Sequence, residues 1–305
     1  STPTAVPTKA PTPTPALVAN VDSSQWPSYN ATIAKEDHQT VKGWGVYEGM
    51  VDWYAQDYNN NTQVHKLLYD ELGVDIIRCK LATEFGNADG TINKAKIDES
   101  LVEQLKRMKA HGKTKWIIIP WSPPVHMKTN NAAQGNGTLK PEMEAAFVKY
   151  YVDVLKYVRD EKGMGAPLGV SVQNEISFAA EWDGCPYTPE QFQRVVKLLR
   201  KQLDDNGFKT TQILGPESGS FVGTIPYLGD EKLSAFDKDP ELRKAIQGYA
   251  THCYSDLSSG KYATQMRIAN TNARKLGMEV WQTEMSYGNS EKESAKEQLD
   301  YTIEA

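Results

Sequence analysis

The sequence is short of the groups on which several kinds of chemistry depend. It has only three cysteines, Cys79, Cys185 and Cys253, in 305 residues. Three cannot all pair within one chain, and their spacing fits no zinc or redox motif. Disulfides are therefore not expected to organise the fold, and the cysteines read as small buried residues. Five histidines occur without His-Glu-x-x-His spacing, which leaves metal-dependent hydrolysis without support. No Gly-x-Ser-x-Gly elbow is present, and no Gly-x-Gly-x-x-Gly or Walker-type glycine loop follows the first strand. Neither a metal nor a cofactor is expected, and a chelator should leave activity unchanged. No apolar run reaches the roughly 18 residues needed to cross a bilayer. The formal net charge is −5, without the basic face a nucleic acid would require. Nucleic acid and membrane are accordingly not expected as partners. No leader stands at residue 1, so the numbering is expected to begin after a secretion signal was removed.

Hydrophobic residues make up 39% and charged residues 24%, enough for one large α/β domain. Residues 1–16, STPTAVPTKAPTPTPA, cannot bury a core. They read as part of an extended Pro/Thr-rich linker over 1–20 of the kind that tethers other modules, and they favour an extracellular location. Residues 29–45 have β-rich alternation and end in a Gly-x-Gly. From residue 43 to 305 a unit recurs: an apolar strand, a polar loop, an amphipathic helix. Strands are expected at Gly43–Val46, Val74–Leu81, Lys115–Trp121, Leu168–Asn174, Gln212–Gly215, Gly248–Tyr254 and Met278–Thr283. Helices are expected between them, notably at 96–112 and 189–207. Thr188 is the N-cap of the second, Pro189 its first residue and Gly207 its stop.

Strands alternating with helices give parallel βα units. Seven of them in about 260 residues favour a (β/α)8 TIM-type barrel over an open sheet. An eighth strand is lacking, since 294–305 reads as the helix after the seventh. The expectation is that this sequence is a fragment of a longer chain, because a barrel without its last strand exposes two edges.

Barrel chemistry sits where strands end. Two mostly apolar strands end in glutamate, Gln173-Asn174-Glu175 and Trp281-Gln282-Thr283-Glu284. Two carboxylates facing each other across a barrel mouth suit glycoside hydrolysis, one protonating the leaving oxygen and the other attacking the anomeric carbon. Arg78 at the second strand reads equally well as a structural ion pair or as an orienting group for the nucleophile. Trp121, before Ser122-Pro123-Pro124, reads as a flat apolar wall for a pyranose ring. His252 and Tyr254 close the sixth strand. Trp53, Tyr54 and Tyr58 offer further platforms in the first loop, or the apolar face of a helix.

Taken together, QTVKGWG (39–45), WSPPVHMKTNN (121–131), GTLKPE (137–142), VSVQNE (170–175), GPESGSF (215–221), THCYSD (251–256) and WQTEMSYG (281–288) resemble glycoside hydrolase family 30, a clan A family of retaining enzymes. The resemblance runs from about Tyr29 to the end. It implies that Glu175 is the acid/base beside Asn174, that Glu284 is the nucleophile, that Tyr254 hydrogen-bonds Glu284, and that Trp121 walls the sugar site. EWDGCPYT (181–188), with Trp182, is similar to the loop after the acid/base in the xylanase branch. This points to a secreted retaining endo-β-1,4-xylanase acting on plant xylan. The alternatives are a β-1,6-glucanase or glucosyl hydrolase of the same family, or a barrel that binds polysaccharide without cleaving it. Two positions depart from the family pattern: Ile176 stands where proline usually follows Asn-Glu, and Gly43-Trp44-Gly45-Val46 stands for Gly-Phe-Gly-Gly. The family also implies a side β-domain, with its N-terminal strands at 21–42 and a C-terminal part beyond residue 305, and glucuronate-binding residues after the eighth strand, also beyond residue 305.

Overall fold

Period-two alternation decides which side chains face the inside of the sheet. In the computed structural model, which describes residues 40–47, 61–230, 232–252, 254 and 262–285, Ile77, Cys79 and Leu81 pack outward under the helices. Ile76 from the same strand joins a separate inner cluster with Ile117, Ile119, Trp121, Leu214 and Ala250. Residues i and i+2 share a strand face, so Arg78 and Lys80 follow Ile76 to the inside.

Seven parallel strands lie in sequence order: β1 (Gly45–Tyr47), β2 (Ile76–Leu81), β3 (Lys115–Pro120), β4 (Gly169–Val170), β5 (Gln212–Ser218), β6 (Gly248–His252) and β7 (Glu279–Glu284). Each connection carries helix, including α1 (Thr62–Lys66), α2 (Glu103–Ala110), α3 (Glu144–Lys156), α4 (Pro189–Asp205), α5 (Phe221–Leu228) and α6 (Tyr262–Lys275). This is an incomplete (β/α)8 barrel. Among the described residues, β1 pairs only with β2 and β7 only with β6. At the N-terminal ends of these two strands, Lys42 and Glu279 form an ion pair at 2.6 Å. No helix among the described residues is long and apolar enough to cross a membrane.

Helix α4 shows how closely the local sequence sets an element. The Thr188 hydroxyl accepts from the Gln191 N–H at 3.2 Å, Pro189 opens the first turn, and Gly207 takes φ +80° after the end. Phe192, Val195, Val196, Leu199 and Leu203 recur at helical spacing and are all fully buried.

The chain separates into two units, Ser1–Val41 and Lys42–Ala305, and all the elements above belong to the second. The linker, most of the side β-structure, Trp53, Tyr54, Tyr58, Cys253 and the segment 286–305 lie outside the described residues. Cys79 and Cys185 are buried, and burial pushes the Cys185 thiol up to about 12.

Two strands differ from their sequence-based bounds near the mouth. The β4 ladder stops at Val170 rather than at Asn174. Residues 171–174 still run beside β3, with the Asn174 N–H on the Pro120 carbonyl at 2.8 Å, but Glu175 adopts φ +49°, which a pleated strand does not accommodate. Strand β5 runs three residues past Gly215, through Pro216 and Glu217 to Ser218. The register against β6 shifts between Pro216 and Ser218, so Glu217 is the extra residue of a bulge and takes φ +60°.

Candidate active site

Glu284 owes its position to a second bulge. Alternation along β7 from Trp281, which packs against the inner cluster, would turn Thr283 inward and Glu284 outward. Pairing instead jumps from Thr251↔Gln282 to His252↔Glu284, leaving Thr283 as the extra residue. Glu284 thereby comes abreast of His252 on the inner face.

Arg78 ties four strand ends together from the inside. Its Nη1 donates to Glu284 Oε2 at 2.7 Å, and its Nη2 donates to Asn174 Oδ1 at 2.5 Å and to Glu217 Oε1 at 3.0 Å. Tyr254 donates its hydroxyl to the other oxygen of Glu284 at 2.9 Å. The nucleophile expected from sequence is thus held by a cation on one oxygen and a phenol on the other. Arg78 is ion-paired with Glu217 and with Glu284 at once.

Glu175 follows β4. Its backbone N–H donates to the Glu217 carbonyl at 2.9 Å, and the Phe178 N–H donates to its own carbonyl at 2.8 Å, which pins the turn. Its carboxylate has no cation bound to it in the way Glu284 has; its ion-pair partner is His252 Nδ1, 3.8 Å away. The facing atoms of Glu175, His252 and Glu284 lie within 4.8 Å of one another. Gly219 makes room for Glu175, since a Cβ there would stand 2.8 Å from Glu175 Oε1.

Glu217 was not among the residues singled out from sequence, although its motif was. Its side chain is wholly buried. Burial by itself would push its carboxyl up, but Arg78 and His252 outweigh that and hold it below the ordinary carboxylate range. His252 is buried between the three glutamates, with Nε2 3.7 Å from Glu217 and Nδ1 4.0 Å from Glu284. Burial opposes its proton, but Glu175, Glu217 and Glu284 prevail and raise its pKa.

The aromatic candidates divide. Trp121 is only 7% exposed, stacked on Tyr47 at 5.5 Å with the Lys80 ammonium 5.2 Å from its ring centre, so it is as much inner core as wall. Trp182 is 40% exposed and sits 5.8 Å from Phe178, itself exposed one turn beyond Glu175. Their loop is anchored from below. The buried Lys128 ammonium donates to the carbonyls of Ala133 and Gly184, and Lys80 pairs with Asp183 at 2.9 Å.

A parallel barrel presenting paired glutamates at the ends of β4 and β7 defines a class of carbohydrate-active proteins. The chain belongs to O-glycosyl hydrolase family 30, whose model matches residues 77–305. Among curated proteins it is similar to the glucuronoxylanase XynC of Bacillus subtilis strain 168, 26% identical over 232 residues, covering 72% of this chain and 50% of that protein. Among solved structures it is similar to the family 30 subfamily 8 xylanase Xyn30A of Clostridium acetobutylicum. There the TM-score is 0.62 and the identity 27%, over 83% of this chain and 57% of that one. The endo-β-1,6-glucanase BT3312 shares the fold at TM-score 0.63 and 18% identity, over 82% of this chain and 58% of that one. The chain spans about half the length of the curated xylanase that it matches.

Proposed function

We propose that the protein is a secreted, retaining endo-β-1,4-xylanase that cleaves xylan by double displacement. The observation that carries the mechanism is the pairing of Glu175 and Glu284 with facing atoms inside 4.8 Å. Retaining enzymes hold their carboxyl groups about 5–5.5 Å apart, whereas inverting ones leave about 6.5–9.5 Å for a water.

Glu284, held in place by Arg78 and Tyr254, attacks the anomeric carbon from one face of the sugar. Glu175 gives its proton to the glycosidic oxygen as the bond to the leaving sugar breaks. In the second step Glu175 takes a proton from water, the water oxygen bonds to the anomeric carbon, and Glu284 departs as carboxylate. The leaving sugar must lie on the Glu175 side, because that is where its oxygen is protonated. The exposed Phe178–Trp182 pair on the same loop would carry further sugar units there, in keeping with endo action. Similarity to the glucuronoxylanase and to Xyn30A supports xylan as the polymer. The Pro/Thr-rich stretch supports secretion and tethering to other modules.

The test is a panel of glucuronoxylan, arabinoxylan, β-1,6-glucan and carboxymethylcellulose, with product anomers followed by NMR. Oligoxylosides released first as the β-anomer are expected. First release of the α-anomer would remove retention, cleavage of β-1,6-glucan alone would remove xylan, and binding without cleavage would remove catalysis.

A further inference from the structure

We propose that Glu175, His252 and Glu284 form a binding site for a divalent transition-metal ion of the zinc class, and that the ion blocks the reacting centre when bound. The three side chains offer two carboxylate oxygens and one imidazole nitrogen, all within 4.8 Å of one another. His252 Nδ1 is the common member, 3.8 Å from Glu175 Oε1 and 4.0 Å from Glu284 Oε1. The imidazole is fully buried, and among the described residues neither ring nitrogen has a hydrogen-bond partner. A buried imidazole aimed at two carboxylates without satisfying its own nitrogens is a ligand set awaiting an acceptor.

The surroundings supply what such a site needs beyond its ligands. A metal-binding histidine commonly presents its other ring nitrogen to a carboxylate, which fixes the tautomer. Here Nε2 faces the buried, ionised Glu217 at 3.7 Å, which leaves the Nδ1 lone pair for the ion. Arg78 does not stand in the way, because it binds Glu284 through Oε2, while Oε1 is the oxygen facing His252. The carboxylates of Glu175, Glu217 and Glu284 set against the one guanidinium leave two negative charges around the imidazole once the ion has displaced its proton, matching a divalent cation.

The donor set selects the kind of ion. Zinc holds imidazole nitrogen and carboxylate oxygen at about 2.0–2.2 Å, with ligand atoms roughly 3.3–3.5 Å apart in a tetrahedron. The three side chains must therefore converge by about 0.5–1.5 Å. Glu175 and Glu284 can do so by side-chain rotation, since both reach partly into solvent. Three protein ligands leave one position for water. Calcium wants six to eight oxygens and magnesium a near-ideal octahedron, so neither fits, whereas imidazole suits zinc and copper. The site uses only geometry present in the chain and does not depend on which polysaccharide is cleaved.

The experiment uses cobalt(II) as a spectroscopic substitute and zinc(II) by titration calorimetry, on the full protein and on Glu175→Gln, His252→Gln and Glu284→Gln, each checked for folding by circular dichroism. The expected result is one ion per chain with intense visible cobalt bands of low coordination number, and affinity at least tenfold weaker in each variant. Zinc should also raise the apparent KM at unchanged kcat. Absence of the visible bands in the native protein overturns the proposal. So does uptake that the folded Glu175→Gln and Glu284→Gln variants leave unaltered, since the ion then sits elsewhere. Neither readout requires turnover, so loss of xylanase activity would be recognised separately.

Discussion

Arg78 Nη2 lies 3.0 Å from Glu217 Oε1, and both side chains are closed to solvent. A buried ion pair of this kind adds little net stability over a well-packed apolar pair, but removing one partner strands the other. Here the pair also spans from β2 to the bulge on β5 and presents the remaining arm of the guanidinium to Glu284. It links the packing of the barrel interior to the aim of Glu284, the proposed nucleophile.

Arg78→Met should therefore destabilise the protein by about 3–5 kcal/mol, because Glu217 is left charged and buried. In a chain of this size that is a fall of roughly 5–8 °C in Tm. Calorimetric melting checks it, and an unchanged Tm would mean that the cavity admits water to Glu217.

The pH dependence has a definite sign. Glu217 has a folded pKa below its ordinary 4.5, so its contribution to stability is present above that value and is lost as pH falls through the folded value. Glu217→Gln lacks this term. Its Tm deficit against the native protein should be constant from pH 7 to about 5 and should shrink below about 4.5. A deficit that widens with acid would contradict an ionised Glu217.

The two glutamates should fail differently. Glu284→Gln is expected to lower kcat by about four orders of magnitude or more while polysaccharide affinity persists. Azide should rescue Glu284→Gly with inverted product. Glu175→Ala should cost about 10²–10⁴ on xylan and far less on aryl glycosides whose leaving group needs no proton. Equal losses on both substrates would remove Glu175 from the acid role.

Gly219→Ala tests the space around the acid/base. The added methyl would stand 2.8 Å from Glu175 Oε1, so the flexible carboxylate must move while the backbone need not. The expected outcome is a drop in kcat of about tenfold or more with Tm within about 2 °C of native, since a 1 Å misplacement of a reacting group is expensive in rate. A native kcat would show that Glu175 has slack at this position.

The sequence by itself determined the alternation of strand and helix, the parallel barrel, and the two strand ends at which glutamates meet. These follow from local signals: apolar runs of strand length, the Thr188-Pro189 start and Gly207 stop of α4, and helical spacing of its buried face. Sequence periodicity did not determine which way the key side chains point. Strict alternation would turn Glu284 outward, and Pro216 reads as the end of a strand, so Glu217 went unassigned. Two bulges, at Thr283 and Glu217, set directions that alternation alone would not. A bulge is a mismatch in count between neighbouring strands, and it exists only in their pairing. Lys80, at an inward position of β2, likewise found its partners Asp183 and Trp121 only when distant loops came together. Chain-local propensities set the elements, while register between elements set the site.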